Sequence, residues 1–349
     1  MTTADICEWH SASLVVGAGL LGDLWKKEER GRSLGLYTLI SLLGPTLGPL
    51  IGAFVTQYSS WRWCFRSLSI FSAVVQVAGL FLIPETFPVL ILARQAEKLR
   101  QETGNTALHT QWEVAGQTFG QRLRLALERP FVLLFTQPIV QILTLYITYV
   151  FGLVYLALST FPLLWTERYH MSISIGGLHY LALAIGYLLG TQSCARLMDI
   201  TYRWLTKRAG GNSQPEFRLP MLVPGTLLTA VGLLWYGWSA QYQLHWIMPD
   251  LGILLFGAGV KFSFQSIQSY ALDVYPTYAA SVSAASTFVR SFAGFGFPLF
   301  APYLYQRLGF GWGNSVLALV AVVIGLPAPV LLWVFGPALR ARSPYAAGE

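Results

Sequence analysis

From Phe131 to Leu164 the chain carries no charged side chain. A helix facing water needs a polar face, and this stretch has none. Roughly 20 apolar residues suffice to cross a bilayer as a helix. In lipid each backbone N–H and C=O must be satisfied internally, which leaves helices or closed barrels as the options. Stretches of comparable character recur near 34–57, 63–83, 131–158, 173–195, 219–239, 246–268, 282–304 and 315–336, each too long for a barrel strand. Composition agrees: 54% of residues are hydrophobic, 11% charged, and mean hydropathy is +0.52. A soluble domain averages about 25% charged residues. The expected fold is an all-α, polytopic membrane bundle of eight full spans. One partial span, about Ala12–Leu21, is too short to cross alone.

Charge gives the sides. Segments 23–32, 84–130, 196–218 and 337–349 hold 17 of the 23 Lys and Arg, and the alternate connections hold Arg62, Arg66, Arg168 and Arg307. The richer set is therefore cytoplasmic. The net charge of +7 reports orientation and not nucleic-acid binding. Trp61, Trp63, Trp165, Trp246 and Trp312 lie toward the opposite face, where interfacial aromatics belong. Four parts follow: an N-terminal bundle over 1–83, a cytoplasmic linker over 84–130, a six-helix bundle over 131–337 and a cytoplasmic tail over 338–349. Within the linker, A-R-Q-A-E-K-L-R-Q-E-T-G-N reads as a short solvated helix ended by Gly104-Asn105. Pro162 is expected to open a loop.

The segment Gly22–Phe65 is the most distinctive. A charged hairpin with Asp23, Arg30 and Arg32 precedes G-P-T-L-G-P-L-I-G-A at 44–53, and W-R-W-C-F follows at 61–65. Gly44, Gly48 and Gly52 recur four apart, so they share a helix face that a second helix can approach closely. Gly48→Leu is expected to block that approach. Pro45 and Pro49 are tolerated where neighbours satisfy the freed carbonyls. This run resembles the antiporter motif of drug:proton antiporters in the major facilitator superfamily. The hairpin before it, W-R-W-C-F, P-E-T at 84–86, Y-A-L-D-V-Y at 270–275 and F-P-L-F at 297–300 resemble the fungal multidrug and polyamine branch. The resemblance implies proton-coupled export of drugs, or of polyamines, by alternating access, with the proton as coupling ion and no other cofactor. It also implies the plasma membrane first and the vacuolar membrane second.

A weak internal repeat supports two related halves. A shift of 249 or 250 residues lays Asp23 on Asp273, Pro49 on Pro298, Gln57 on Gln306 and Trp63 on Trp312. Related halves are a transporter signature. The spans over 131–239 have no counterpart within the chain, so three helices of the first half are expected to be missing relative to the family's twelve-span plan. Two readings follow. One is an exporter whose sequence is an incomplete gene model or a shortened isoform. The other is a transport-inactive membrane protein that serves as an interaction partner.

Candidate sites lie on the spans. Gln137, Gln141, Thr144 and Thr148 share one helical face, with Tyr155 a turn or two further. They form a substrate-facing wall or they bond between helices. Lys261, Gln265 and Gln268 repeat the spacing. A lysine this deep is a functional candidate by default, able to select charge or to titrate in a cavity, and otherwise it snorkels. A cavity lysine suits a polycationic substrate poorly. Arg290 is expected to pair with Asp273 as a structural or gating ion pair. Asp23 ends a helix at the wrong end of its dipole for an anion, so Arg30 or Arg32 is its expected partner. Asp199 and Arg203 form the corresponding hairpin of the other half, as gating pairs or as ordinary interfacial charge.

Enzyme chemistry finds no support. The five histidines are scattered, with no H-E-x-x-H, G-x-S-x-G or Walker loop. Asp199 and Asp273 sit at span ends, not together at depth. Cys7, Cys64 and Cys194 show neither metal spacing nor a disulfide framework. The expected partners are the lipid bilayer and a small-molecule substrate, not nucleic acid.

Overall fold

The computed structural model describes residues 44, 47–82, 88–105, 108 and 119–346. Asp23, Arg30, Arg32 and Pro45 lie outside the described residues. The chain divides into two compact units, residues 1–44 with 59–125, and residues 45–58 with 126–349.

In the first unit, α2 (Trp61–Leu82) begins with the aromatic cluster. The Arg62 guanidinium lies 4.7 Å from the Trp61 ring centre and that of Arg66 5.7 Å from Trp63. Cation and ring share the polar edge of an apolar helix in this way. The linker helix is α3 (Pro88–Thr103). Gly104 ends it with φ 67° and its N–H on the Arg100 carbonyl, 2.9 Å, the left-handed stop that glycine adopts without strain.

The second unit holds α1 (residues 47–58) and the long helices. α4 (Phe119–Thr136) stops one residue short of Pro138. Gln137, held extended at φ −107° and ψ 107°, is the break, because the residue before proline is disfavoured in helical geometry. Pro138 then opens α5 (Pro138–Pro162), where its missing N–H costs nothing. Pro162 does not begin a loop as expected. The helix runs through it into a π-helical turn, Leu163–Arg168, and this widening accommodates the lost hydrogen bond.

Next come α6 (Ile173–Leu178), α7 (Tyr180–Arg208), a 3-10 turn (Pro215–Met221), α8 (Leu222–Gln241) and α9 (Ile247–Val274). α10 (Ala279–Gly325) is two helical segments meeting at Gly309, φ 71°, and α11 (Pro327–Ala341) completes the last span.

The packing is that of a bundle in lipid. Leu319, Val323, Val330 and Val334 are about 60% exposed, while Thr229, Ser263, Ser266 and Asn314 are fully buried. Water would favour the reverse. Helices approach through glycine. A Cβ added at Gly186 would meet the Leu254 carbonyl, and one at Gly190 would lie 2.7 Å from the Ala258 Cα, which joins α7 to α9. Gly225, Gly232, Gly252 and Gly259 do the same between α8 and α9. Small residues holding membrane helices together are therefore found here. By contrast, a Cβ added at Gly44, Gly48 or Gly52 meets no described atom within 4 Å. The close contact of α1 is on another face: a Cβ on Gly177 of α6 would lie 2.6 Å from the Ala53 Cβ, and the Ser174 N–H donates to Gln57 Oε1 at 2.7 Å.

Polar groups in the core bond across helices. The Tyr146 hydroxyl (α5) meets Thr226 Oγ1 (α8) at 2.7 Å and Ser263 Oγ (α9) at 3.2 Å. Tyr149 donates to the Leu317 carbonyl at 2.7 Å. Each such bond contributes about 0.6 kcal/mol in a membrane; their larger effect is to fix rotation, since an unpaired hydroxyl in hydrocarbon is costly.

Candidate functional site

Three sets of polar residues lie at different depths of the second unit. The first set, at the end of the bundle expected to be cytoplasmic, gathers charges distant in sequence. Arg218 Nε donates to Asp273 Oδ2 at 2.9 Å, Arg218 Nη1 stands 3.9 Å from Asp199, and its guanidinium lies 4.4 Å from the Tyr202 ring centre. Nearby, Arg340 approaches Glu216 at 3.5 Å, and that carboxylate is buried. Arg203, expected beside Asp199, is exposed.

The Arg290–Asp273 pair expected from the sequence is corrected here. Asp273 closes the last turn of α9, whereas Arg290 lies eleven residues into α10, about 16 Å along the helix at 1.5 Å per residue. No side chain spans that depth, and Arg218 takes the carboxylate instead. Sequence reasoning missed Arg218, Glu216 and Arg340. Their only signal was membership of basic cytoplasmic segments.

The opposite end has its own network. His179 Nδ1 lies 2.7 Å from Asp250 Oδ2, with the imidazole stacked 3.5 Å from Trp165. Arg168 donates to the Gln241 carbonyl at 2.8 Å, and the Tyr169 hydroxyl donates to that of Leu244, also at 2.8 Å. Burial pushes the Tyr169 phenol up from its ordinary pKa, so it stays a neutral donor. Scattered histidines gave no hint of the His179–Asp250 contact, although an acidic residue in a first turn suits the helix dipole.

The middle set is the candidate site. The Arg290 guanidinium lies 5.1 Å from the Phe151 ring centre and 5.8 Å from that of Phe264. Lys261 Nζ lies 4.6 Å from the Tyr187 ring centre. Phe264, which Arg290 reaches, lies one turn of α9 from Lys261, so the two cations occupy one region. Phe151 also packs on Tyr155 at 4.8 Å, and Gly294 leaves room for both rings. Helices α5, α7, α9 and α10 thus converge. Among the described residues neither Lys261 nor Arg290 forms an ion pair. After residue 130 the acidic residues are Glu167, Asp199, Glu216, Asp250, Asp273 and Glu349, none at mid-span. Stacking on rings contributes about 0.5–2 kcal/mol, against several kcal/mol to bury one ion, so the aromatics offset only part of the cost. Arg290 Nε, Gln265 Oε1 and Thr148 Oγ1 are buried without a hydrogen-bond partner.

The expected stripes divide accordingly. Thr144 bonds Ser286 on α10 at 3.0 Å, Gln137 is buried and bonds Thr136 at 3.1 Å, and exposed Gln141 donates to the Phe135 carbonyl at the helix break, 3.1 Å. These three are occupied locally or between helices. Thr148, Tyr155, Lys261 and Gln265 belong to the cluster or its border, and Gln268 is exposed. Pro49 lines a small cleft with Ala53, Gly176 and Gly177 at the far end.

Comparison with known proteins decides the family. The Major Facilitator Superfamily model matches residues 9–298. The chain belongs to this superfamily. It is 48% identical over 338 residues to the efflux pump vrtL of Penicillium aethiopicum, covering 97% of this chain and 67% of that protein. It is 44% identical to the MFS-type transporter oryF of Aspergillus oryzae, over 95% of this chain and 69% of the relative. A probable efflux pump of Aspergillus flavus, mfs2, is 42% identical over 95% of this chain and 79% of its own length. The E. coli xylose transporter XylE, in a partially occluded inward-open conformation, shares the fold with TM-score 0.60 at 19% identity, over 93% of this chain and 67% of XylE. The chain thus spans about two thirds of the length of most of these relatives. As a superfamily member it is a multi-pass membrane transporter of small molecules and not an enzyme.

Proposed function

We propose that the protein exports small organic molecules in exchange for protons, by alternating access, across the plasma membrane or, second, the vacuolar membrane. The observation that carries this reading is the middle set: Arg290 on the Phe151 and Phe264 rings, with buried polar atoms of Arg290, Thr148 and Gln265 that have no hydrogen-bond partner. Buried polar atoms without a hydrogen-bond partner also occur elsewhere in the bundle, as at Trp165, Tyr236 and Tyr270. What sets the middle apart is that they occur with two cations that have no carboxylate among the described residues and with several aromatic rings, a combination that suits a ligand. That vrtL is an efflux pump and mfs2 a probable one supports the outward direction. The resemblance of residues 44–53 to the antiporter motif supports proton coupling. In this account the contact of Ala53 and Gln57 with α6 closes the non-cytoplasmic end and opens in the other state. Drug-like molecules suit the site; polyamines suit it least, since two unpaired cations would repel them.

The test is transport by the chain as it stands, reconstituted in lipid vesicles. The probes are naphthalenesulfonate, naphthalenesulfonamide and naphthylmethyl-trimethylammonium. Movement of at least one probe faster than from protein-free vesicles, abolished by a protonophore, is the expected result. Rates equal to protein-free vesicles for all three would favour the transport-inactive reading.

A further inference from the structure

We infer that the middle site recognises an organic anion carried on an aromatic or conjugated ring. This rests on the transport reading above and names the substrate class of that same site. Four observations on four helices bear on it. Arg290 reaches the Phe264 ring, 5.8 Å away, and Phe264 lies one turn of α9 from Lys261, so two cations share one region of the bundle. Among the described residues no carboxylate stands with either one, whereas Arg218 and Arg340 at one end of the bundle have Asp273, Asp199 and Glu216. The rings of Phe151, Tyr155, Tyr187 and Phe264 surround the two cations. Arg290 Nε, an N–H donor, is buried without an acceptor.

A cationic ligand would enter against two like charges. A neutral ligand would leave both uncompensated. An anion accepts from the Arg290 fork while its ring takes the faces of the aromatics, which satisfies charge, hydrogen bonding and apolar surface together. Sulfonates, carboxylates and ionised phenols share this chemistry. Gln265, one turn of α9 from Lys261, and Thr148, three residues before Phe151 on α5, carry further buried oxygens without a partner, which polar substituents on the ring can meet.

The experiment separates binding from transport. The detergent-purified chain is titrated with naphthalenesulfonate, naphthalenesulfonamide and naphthylmethyl-trimethylammonium, followed by tryptophan fluorescence. These probes share a ring and differ in permanent charge. The sulfonate is expected to bind at least about tenfold more tightly than the trimethylammonium. Arg290→Gln and Lys261→Gln should each shrink the sulfonate-to-sulfonamide affinity ratio by about tenfold, and Arg290→Lys, which keeps the charge, should shrink it less. The retained sulfonamide binding and the Arg290→Lys variant show that a loss is not misfolding. Equal affinity for the three probes, tighter binding of the cation, no sulfonate binding, or a ratio unmoved by either glutamine variant would overturn the inference. Sulfonate binding without vesicle transport would leave the site in place and remove the export reading. Transport without charge preference would do the opposite.

Discussion

The end of the second unit where Arg218 and Arg340 lie and its middle treat positive charge in opposite ways. At the end, Arg218 and Arg340 are held by Asp273, Asp199 and a buried Glu216. In the middle, Arg290 and Lys261 have rings for company and, among the described residues, no carboxylate. Charges that serve the fold are neutralised within it. Charges left uncompensated at depth cost stability, and in a transporter that cost is offset when a ligand arrives. The comparison therefore assigns the end cations to architecture and the middle cations to recognition.

The comparison can be broken most sharply at Glu216. Arg340→Met strands a buried carboxylate and is expected to destabilise the fold by about 3 kcal/mol, read as a large fall in the thermal midpoint of the detergent-purified protein. Asp273→Asn should cost about 1 kcal/mol, since Asp199 and the Tyr202 ring still face Arg218, and the probe preference should not change. Arg290→Gln should alter stability by less than about 1 kcal/mol in either direction, because it removes an unpaired charge along with its stacking. Lys261→Gln should behave alike, with a smaller loss of stacking. A collapse in the last two, or none in the first, would erase the distinction between the regions.

Much of this was legible in the sequence, and the part that was not has a common cause. Spans follow from local pattern, and the charges of 199, 216–218, 273 and 340, which the Lys and Arg counts put on one side, do meet at one end of the bundle. Gly104 ended α3 where a left-handed residue was expected. Periodicity gives the face a residue occupies but not what stands opposite. Gly186 and Gly190 carry the same four-residue spacing as Gly44 and Gly48, yet among the described residues the first pair meets α9 backbone and the second meets nothing within 4 Å. Thr144 and Thr148 lie one turn apart, and Ser286 answers the first alone. Arg290 and Asp273 failed as a pair on depth, which charge complementarity does not report. His179 and Asp250 are 71 residues apart, and no motif joins them.

The central claim is that the middle cations are kept for a ligand and the end cations for the fold. One thermal-unfolding series tests it: wild type, Arg340→Met and Arg290→Gln, each with and without naphthalenesulfonate, since a ligand stabilises only what it binds. The account predicts that Arg340→Met melts early yet keeps its rise with ligand, while Arg290→Gln melts near wild type and loses that rise. An Arg290→Gln protein that melts early and still gains the full rise would contradict it.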